Sequence, residues 1–397
     1  MWQAETIRAA VVETAAKAGG SRYIDNQTTD LLDSGDTEAY LEAALEDIVT
    51  NFPPKHRYSP ETLHGLWSGP TGIGYLLLQV SARRPDLVIY DKPMLDWAWA
   101  YMRGSRGYNL RRGCHGCGIT DERLAYEAVL SAVSKDMQHV RAFAASATQV
   151  TAVDDFPDEN LYGRAGLLYL LRLVRHWVPE SARLVTPIIA EVSDTILRRG
   201  PDWAWHGHRY LGAAHGDIGI IVQLVLTSPE LAPQLEPVLE RLLDEQLPGG
   251  NWHVSLTLDR KGKELVQFCH GAPGFVVSLL SLRHHFPNME SRINQAVDRA
   301  RSCIWREGLL TKEPNLCHGI FGNALALPRG GQREHFLGVA SPDNVSRVKS
   351  ADANGKVFQR ADYGRGYSTL TSYAPSAVWT WLVYRDEAPS VLGYNDV

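Results

Sequence analysis

The sequence has no uninterrupted apolar run of the length a membrane-spanning helix needs. Its opening, Met1-Trp2-Gln3-Ala4-Glu5, lacks the basic start and apolar stretch of a secretory signal. Cysteine is scarce and odd in number, five in 397 residues. That count argues against a disulfide framework and for a reducing compartment, so cytoplasm is the expected location. Excess charge is also missing. A net charge of -5 with 21% charged residues gives no global reason to expect nucleic acid or an anionic membrane as partner. No convincing linker divides the chain. The stretches 50–60 and 328–365, rich in Pro, Gly, Asp and Arg, are expected to be long loops at one rim of a single domain spanning 1–397.

What is present in quantity is apolar residue, 44%, and glycine, 34 copies. The glycines recur as Gly-x-x-Gly followed by an apolar run. The copies are Gly69-Pro70-Thr71-Gly72, Gly163-Arg164-Ala165-Gly166, Gly216-Asp217-Ile218-Gly219, Gly271-Ala272-Pro273-Gly274 and Gly319-Ile320-Phe321-Gly322. Gly113-Cys114-His115-Gly116 and Ser372-Tyr373-Ala374-Pro375 are weaker copies, the latter without either glycine. Seven sites at intervals of roughly 45–55 residues fit one helix pair per repeat. Glycine permits the close backbone approach needed where a loop turns into a helix. The following runs, such as Ile220-Ile221-Val222, are too continuous for a one-sided helix and read as buried inner helices. Leu41, Ala44, Leu45 and Ile48, or Leu235, Val238, Leu239, Leu242 and Leu243, have the spacing of amphipathic outer helices. The pattern predicts an all-α, double-layered (α/α)7 barrel, with an open helical solenoid as the alternative that periodicity leaves standing.

Three turns carry soft metal ligands beside the first glycine: His215-Gly216, Cys269-His270-Gly271 and Cys317-His318-Gly319. In a closed barrel, consecutive turns deliver their side chains to one end. Thiolate and imidazole are preferred zinc ligands, and three of them leave a fourth position for water or substrate. Cys114-His115-Gly116-Cys117 is a Cys-x-x-Cys without a second pair or a βαβ context, so its cysteines are expected to be inert turn residues.

The segments Trp205-His206-Gly207, Tyr210-Leu211-Gly212-Ala213-Ala214-His215-Gly216, Phe268-Cys269-His270-Gly271-Ala272-Pro273-Gly274 and Leu316-Cys317-His318-Gly319 resemble the eukaryotic LanC-like family. Leu161-Tyr162-Gly163-Arg164 and Gly249-Gly250-Asn251-Trp252 fit it too, in phase from about residue 60 to 380. The resemblance implies zinc held by Cys269, Cys317 and His318. It also implies glutathione as the thiol, added to dehydroalanine or dehydrobutyrine side chains of proteins or peptides to form a thioether. On the same ground His215 handles the proton, Glu159 stands at the acidic position before the third turn, where it also suits a helix cap, and Lys312 and Arg360 bind glutathione. Arg164 is expected to serve structure.

The sequence departs from the family in two places. Thr369-Leu370-Thr371-Ser372 and Pro375 replace an acidic residue and both glycines of the last turn, which predicts a remodelled rim. Leu265-Val266-Gln267-Phe268 stands where bacterial cyclases carry a basic residue before the first cysteine, which weakens a lanthipeptide-cyclase reading. The rival to an enzyme is a non-catalytic glutathione- or protein-binding zinc protein. A glycosidase on the same fold would want a carboxylate pair, and a zinc prenyltransferase a second subunit.

Overall fold

The computed structural model describes residues 2–18, 20–26, 30–107, 116–257, 264–360 and 366–397. Among them are sixteen α-helices: α1 Trp2–Lys17, α2 Thr37–Asn51, α3 Pro70–Arg83, α4 Met94–Arg103, α5 Glu122–Ser134, α6 Met137–Thr151, α7 Arg164–Trp177, α8 Ala182–Arg199, α9 Asp217–Thr227, α10 Ala232–Asp244, α11 Ala272–Leu282, α12 Glu290–Glu307, α13 Ile320–Ala326, α14 Gly331–Val339, α15 Pro342–Ala351 and α16 Tyr373–Val383. The one sheet among the described residues is a hairpin, Val88–Ile89 with Lys92–Pro93. Among the described residues no helix is long and apolar enough to cross a membrane.

The helices after the seven motif positions form the inner layer. Contacts run α3 to α5, α5 to α7, α7 to α9, α9 to α11, α11 to α13, α13 to α16, and α16 back to α3. The ring is therefore closed, and the open solenoid is excluded. Each inner helix has an outer partner: α4, α6, α8, α10, α12 and α14 for the first six. The seventh, α16, is covered by α2 from near the start of the chain, so the outer layer is closed by sequence-distant pairing. The two layers differ as the residue pattern predicts. Every residue of α9 but Leu226 is buried, whereas α10 buries only Ala232 and a stripe of Leu235, Val238, Leu239, Leu242 and Leu243.

A belt of backbone hydrogen bonds stitches the motif turns together. Leu66 N–H donates to Ile119 O, Ile119 to Asn160 O, Asn160 to Ala214 O, Ala214 to Cys269 O, Cys269 to Cys317 O and Cys317 to Leu370 O; Thr369 N–H closes the circuit on Trp67 O, all at 2.8–3.3 Å. These bonds satisfy loop amides that would otherwise be buried unpaired. Glycine is required for such proximity. A Cβ on Gly271, whose φ is +107°, would meet Leu265 O at 1.9 Å, and one on Gly274 would meet Phe268 O at 2.0 Å.

Three expectations need correction or restriction. Residues 328–365 are not one long loop, because α14 and α15 lie within them. The last turn is not remodelled by loss of its glycines. Ser372 at the first glycine's place keeps an extended cap conformation (φ -102°, ψ 151°), and Ser376, next to Pro375 at the second, accepts a hydrogen bond from Leu316 N–H at 3.2 Å and donates to Thr369 O at 3.3 Å. The weak copy at 113–116 lies outside the described residues except for Gly116.

The bore beneath the turns is filled by the last residues of the chain. Asp396, half-buried, accepts hydrogen bonds from Tyr75 Oη (2.7 Å), Tyr169 Oη (2.9 Å) and Gln79 Nε2 (3.0 Å). Gln223 Nε2 and Arg172 donate to Tyr394 O, and Tyr394 Oη pairs with Ser278 Oγ at 2.6 Å. The Tyr394 ring meets Phe268 edge-on at 5.1 Å, directly before Cys269.

Candidate metal centre

Cys269 enters from the turn before α11, and Cys317 and His318 from the turn before α13, on adjacent inner helices. The belt joins them directly, Cys269 N–H donating to Cys317 O at 3.1 Å. Buried asparagines staple the loops. Asn251 Oδ1 accepts from Ala272 N–H (2.7 Å) and its amide donates to Leu265 O. Asn323 donates to Val266 O (2.9 Å) and Gly308 O (2.8 Å), and Asn315 Oδ1 accepts from His318 N–H at 2.8 Å. One ligand atom each from Cys269, Cys317 and His318 lies within 4.8 Å of the other two, and all three residues are buried.

This donor set fits zinc. Metal–sulfur and metal–nitrogen bonds of about 2.3 and 2.0 Å in a tetrahedron put neighbouring ligand atoms roughly 3.5–3.8 Å apart, a small side-chain adjustment from the spacing found. The two thiols also differ electrostatically. A hydrogen bond from Cys317, together with the nearby His270 and His318, holds the Cys269 thiol well below its ordinary value against the cost of burial. The same hydrogen bond and burial push Cys317 well above it, with Lys312 pulling the other way. Two buried sulfurs that share a hydrogen bond in this way suit replacement of the proton between them by a cation.

Beside the triad stands His215. Its Nδ1 lies 2.6 Å from Glu159 Oε2. Glu159 also accepts from Leu161 N–H at 2.9 Å and from Tyr162 N–H. A carboxylate receiving backbone donors on both oxygens acts as an acceptor, so Nδ1 carries the hydrogen and Nε2 is the ring atom left for chemistry. Glu159 thus orients a histidine one repeat away. The Trp205 indole stacks on the imidazole at 3.9 Å and 10°, and Tyr162 lies nearly parallel beside both rings at 5.8 and 6.3 Å. Tyr210 and His270 flank the ring at 5.9 and 6.0 Å. Sequence reasoning singled out the Trp205-His206-Gly207 motif without giving Trp205 a role.

The remaining candidates divide. Lys312 Nζ lies 3.4 Å from Gln267 Oε1, and Gln267 Nε2 lies 3.1 Å from Cys269 Sγ, so Lys312 does reach the site. Arg360 is exposed, and its charge acts on Glu313, as does that of His318. Glu313 went unnoticed in the sequence. Its carboxyl is pushed up by burial, and Oε2 has no hydrogen-bond partner among the described residues. Arg164 is buried and donates to Asp158 Oδ1 (2.8 Å), Val153 O and Asp154 O, so it braces the loop before the third turn. Cys117 is buried, and burial pushes its thiol up, which disfavours the reactive thiolate; Cys114 lies outside the described residues.

Comparison with known proteins bears on this arrangement. The sequence model of the family described as "Lanthionine synthetase C-like protein" matches residues 124–330. "Glutathione S-transferase LANCL1" of Danio rerio is 30% identical over 194 residues, 42% of this chain and 45% of that protein. "LanC-like protein GCL1" of Arabidopsis thaliana is 30% identical over 179 residues, 42% of this chain and 40% of that protein. The matched stretch thus spans less than half the length of either relative. Among solved structures, "Nisin cyclase" superposes with a TM-score of 0.60 at 14% identity, covering 88% of this chain and 95% of its own. That likeness concerns the fold.

Proposed function

Because the chain belongs to the lanthionine synthetase C-like family, we propose that it catalyses zinc-dependent addition of a thiol, glutathione, to dehydroalanine or dehydrobutyrine side chains of proteins or peptides. The observation that carries this reading is the convergence of Cys269, Cys317 and His318 beside an oriented His215–Glu159 pair. When bound, zinc supplies the positive charge that keeps a thiol deprotonated near neutral pH. The thiolate sulfur forms a bond to the alkene β-carbon, and the π pair moves onto the α-carbon. His215 Nε2 delivers the proton that completes the α-carbon, and the proton lost by the thiol restores the imidazolium. No group leaves, so the product is the sum of both reactants. Glu159 holds the ring and stabilises its charge. Lys312 and Arg360 offer cationic partners for the carboxylates of glutathione. The free, buried Cys117, Cys269, Cys303 and Cys317 suit a reducing, cytoplasmic setting.

The test is direct. Zinc-loaded protein incubated with glutathione and a dehydroalanine peptide is expected to convert the peptide to a species heavier by one glutathione, read by mass spectrometry. Tight glutathione binding with no such product would replace the enzyme with a binding protein.

A further inference from the structure

Gln267 stands two residues before Cys269 and is buried. Its backbone N–H donates to His270 O, and His270 N–H returns a bond to Gln267 O, both at 3.2 Å, so the side chain springs from a fixed tight turn. Nε2 lies 3.1 Å from Cys269 Sγ, and Lys312 Nζ lies 3.4 Å from Oε1. The two ends of an amide have nearly the same shape, so their assignment rests on the partners. Lysine only donates, which requires the oxygen to face Lys312 and the NH₂ to face the sulfur. The flipped amide would set donor against donor and carbonyl oxygen against an electron-rich thiolate. Lys312 comes from the loop before Cys317, so this relay bridges the two ligand turns through side chains, as the Cys269–Cys317 bond does through the backbone.

We infer that Gln267 is a positioning residue of the metal centre, donating an N–H···S hydrogen bond to the Cys269 thiolate, and that Lys312 locks its amide in that orientation. The inference rests on the reading that Cys269, Cys317 and His318 hold a metal. A hydrogen bond to a ligating sulfur draws electron density from it and weakens it as a donor. The metal is left more electron-poor toward its open position, the kind of tuning that groups outside the ligand set exert. Lys312 thereby acts on the sulfur through Gln267 whether or not it also meets a substrate carboxylate.

Cobalt(II) in place of zinc gives a sulfur-to-metal charge-transfer band that reports sulfur donor strength. In Gln267→Glu, which keeps the shape and the Lys312 partner but presents no donor to the sulfur, the band is expected to move to lower energy. Gln267→Leu is expected to move it the same way. Lys312→Met is expected to give a smaller shift in that direction and to add nothing to Gln267→Leu. Should Gln267→Leu fail to fold, the isosteric Gln267→Glu carries the test. Cobalt bound with an unmoved band in Gln267→Glu overturns this inference alone. Wild-type protein that binds no cobalt overturns it together with the metal reading beneath it.

Discussion

In the His215→Asn protein, thioether formation is expected to fall about 10²–10⁴-fold, the usual contribution of a positioned general acid or base, while zinc content stays unchanged. The reason lies in what the ring alone provides. Its Nδ1 is committed to Glu159 at 2.6 Å, and its face is covered by Trp205 at 3.9 Å. Nε2 is thus the atom of this group that can exchange a proton with a bound reactant. Asparagine removes that exchange without touching Cys269, Cys317 or His318. Rates with glutathione and a dehydroalanine peptide, alongside metal analysis, check the expectation. Wild-type rate in the variant would remove His215 from the chemistry. Parallel loss of rate and zinc would make it a brace for the turn.

The second large effect concerns folding. Arg106→Met is expected to destabilise the protein by about 3–5 kcal/mol, because it leaves a buried carboxylate without its cation. Arg106 Nε lies 2.9 Å from Glu122 Oε1, and both side chains are at most 5% exposed. Glu122 also accepts from Thr71 Oγ1 at 2.6 Å and from Gly65 N–H at 2.8 Å, which ties the first motif turn to α5. Burial already pushes the Glu122 carboxyl up, and Arg106 is the principal group opposing that. The double variant Arg106→Met, Glu122→Gln is therefore expected to recover most of the loss, since no charge remains buried alone. Urea unfolding midpoints of the three proteins decide this; a single variant as stable as wild type would contradict the argument.

Much of the barrel was legible because its signal is repeated. Glycines at fixed phase and the apolar runs after them marked five of the seven inner helices, and the turns of two of these bring Cys269, Cys317 and His318 into one place; α5 is capped instead by Asp121, past the 113–116 copy, and α16 by Ser372. Ring closure was expected, but periodicity left the open solenoid standing, since closure depends on α16 meeting both α2 and α3, contacts that periodicity does not encode. The helices within 328–365 were missed because Pro328, Gly330, Gly331, Gly338 and Pro342 interrupt any apolar periodicity there. Even so, Ser341, whose side chain accepts from Asn344 N–H, followed by Pro342 at the first helical position, is a readable start signal for α15. The plug of the bore had its signal too: Gln79, Arg172 and Gln223 are polar residues inside apolar runs, and each bonds to the last four residues of the chain. Gln267 is of a residue type too common to single out before distances are known, and Trp205 stood out only as part of its motif, since its stacking on His215 is a tertiary contact.

The central claim is that Cys269, Cys317 and His318 form one zinc centre. Elemental analysis of untagged wild type, Cys269→Ala and Cys317→Ala, prepared identically in zinc-supplied medium without chelator, tests it most directly. The account predicts about one zinc per chain in wild type and essentially none in either variant. Wild type without zinc, or variants that retain it, would contradict the account.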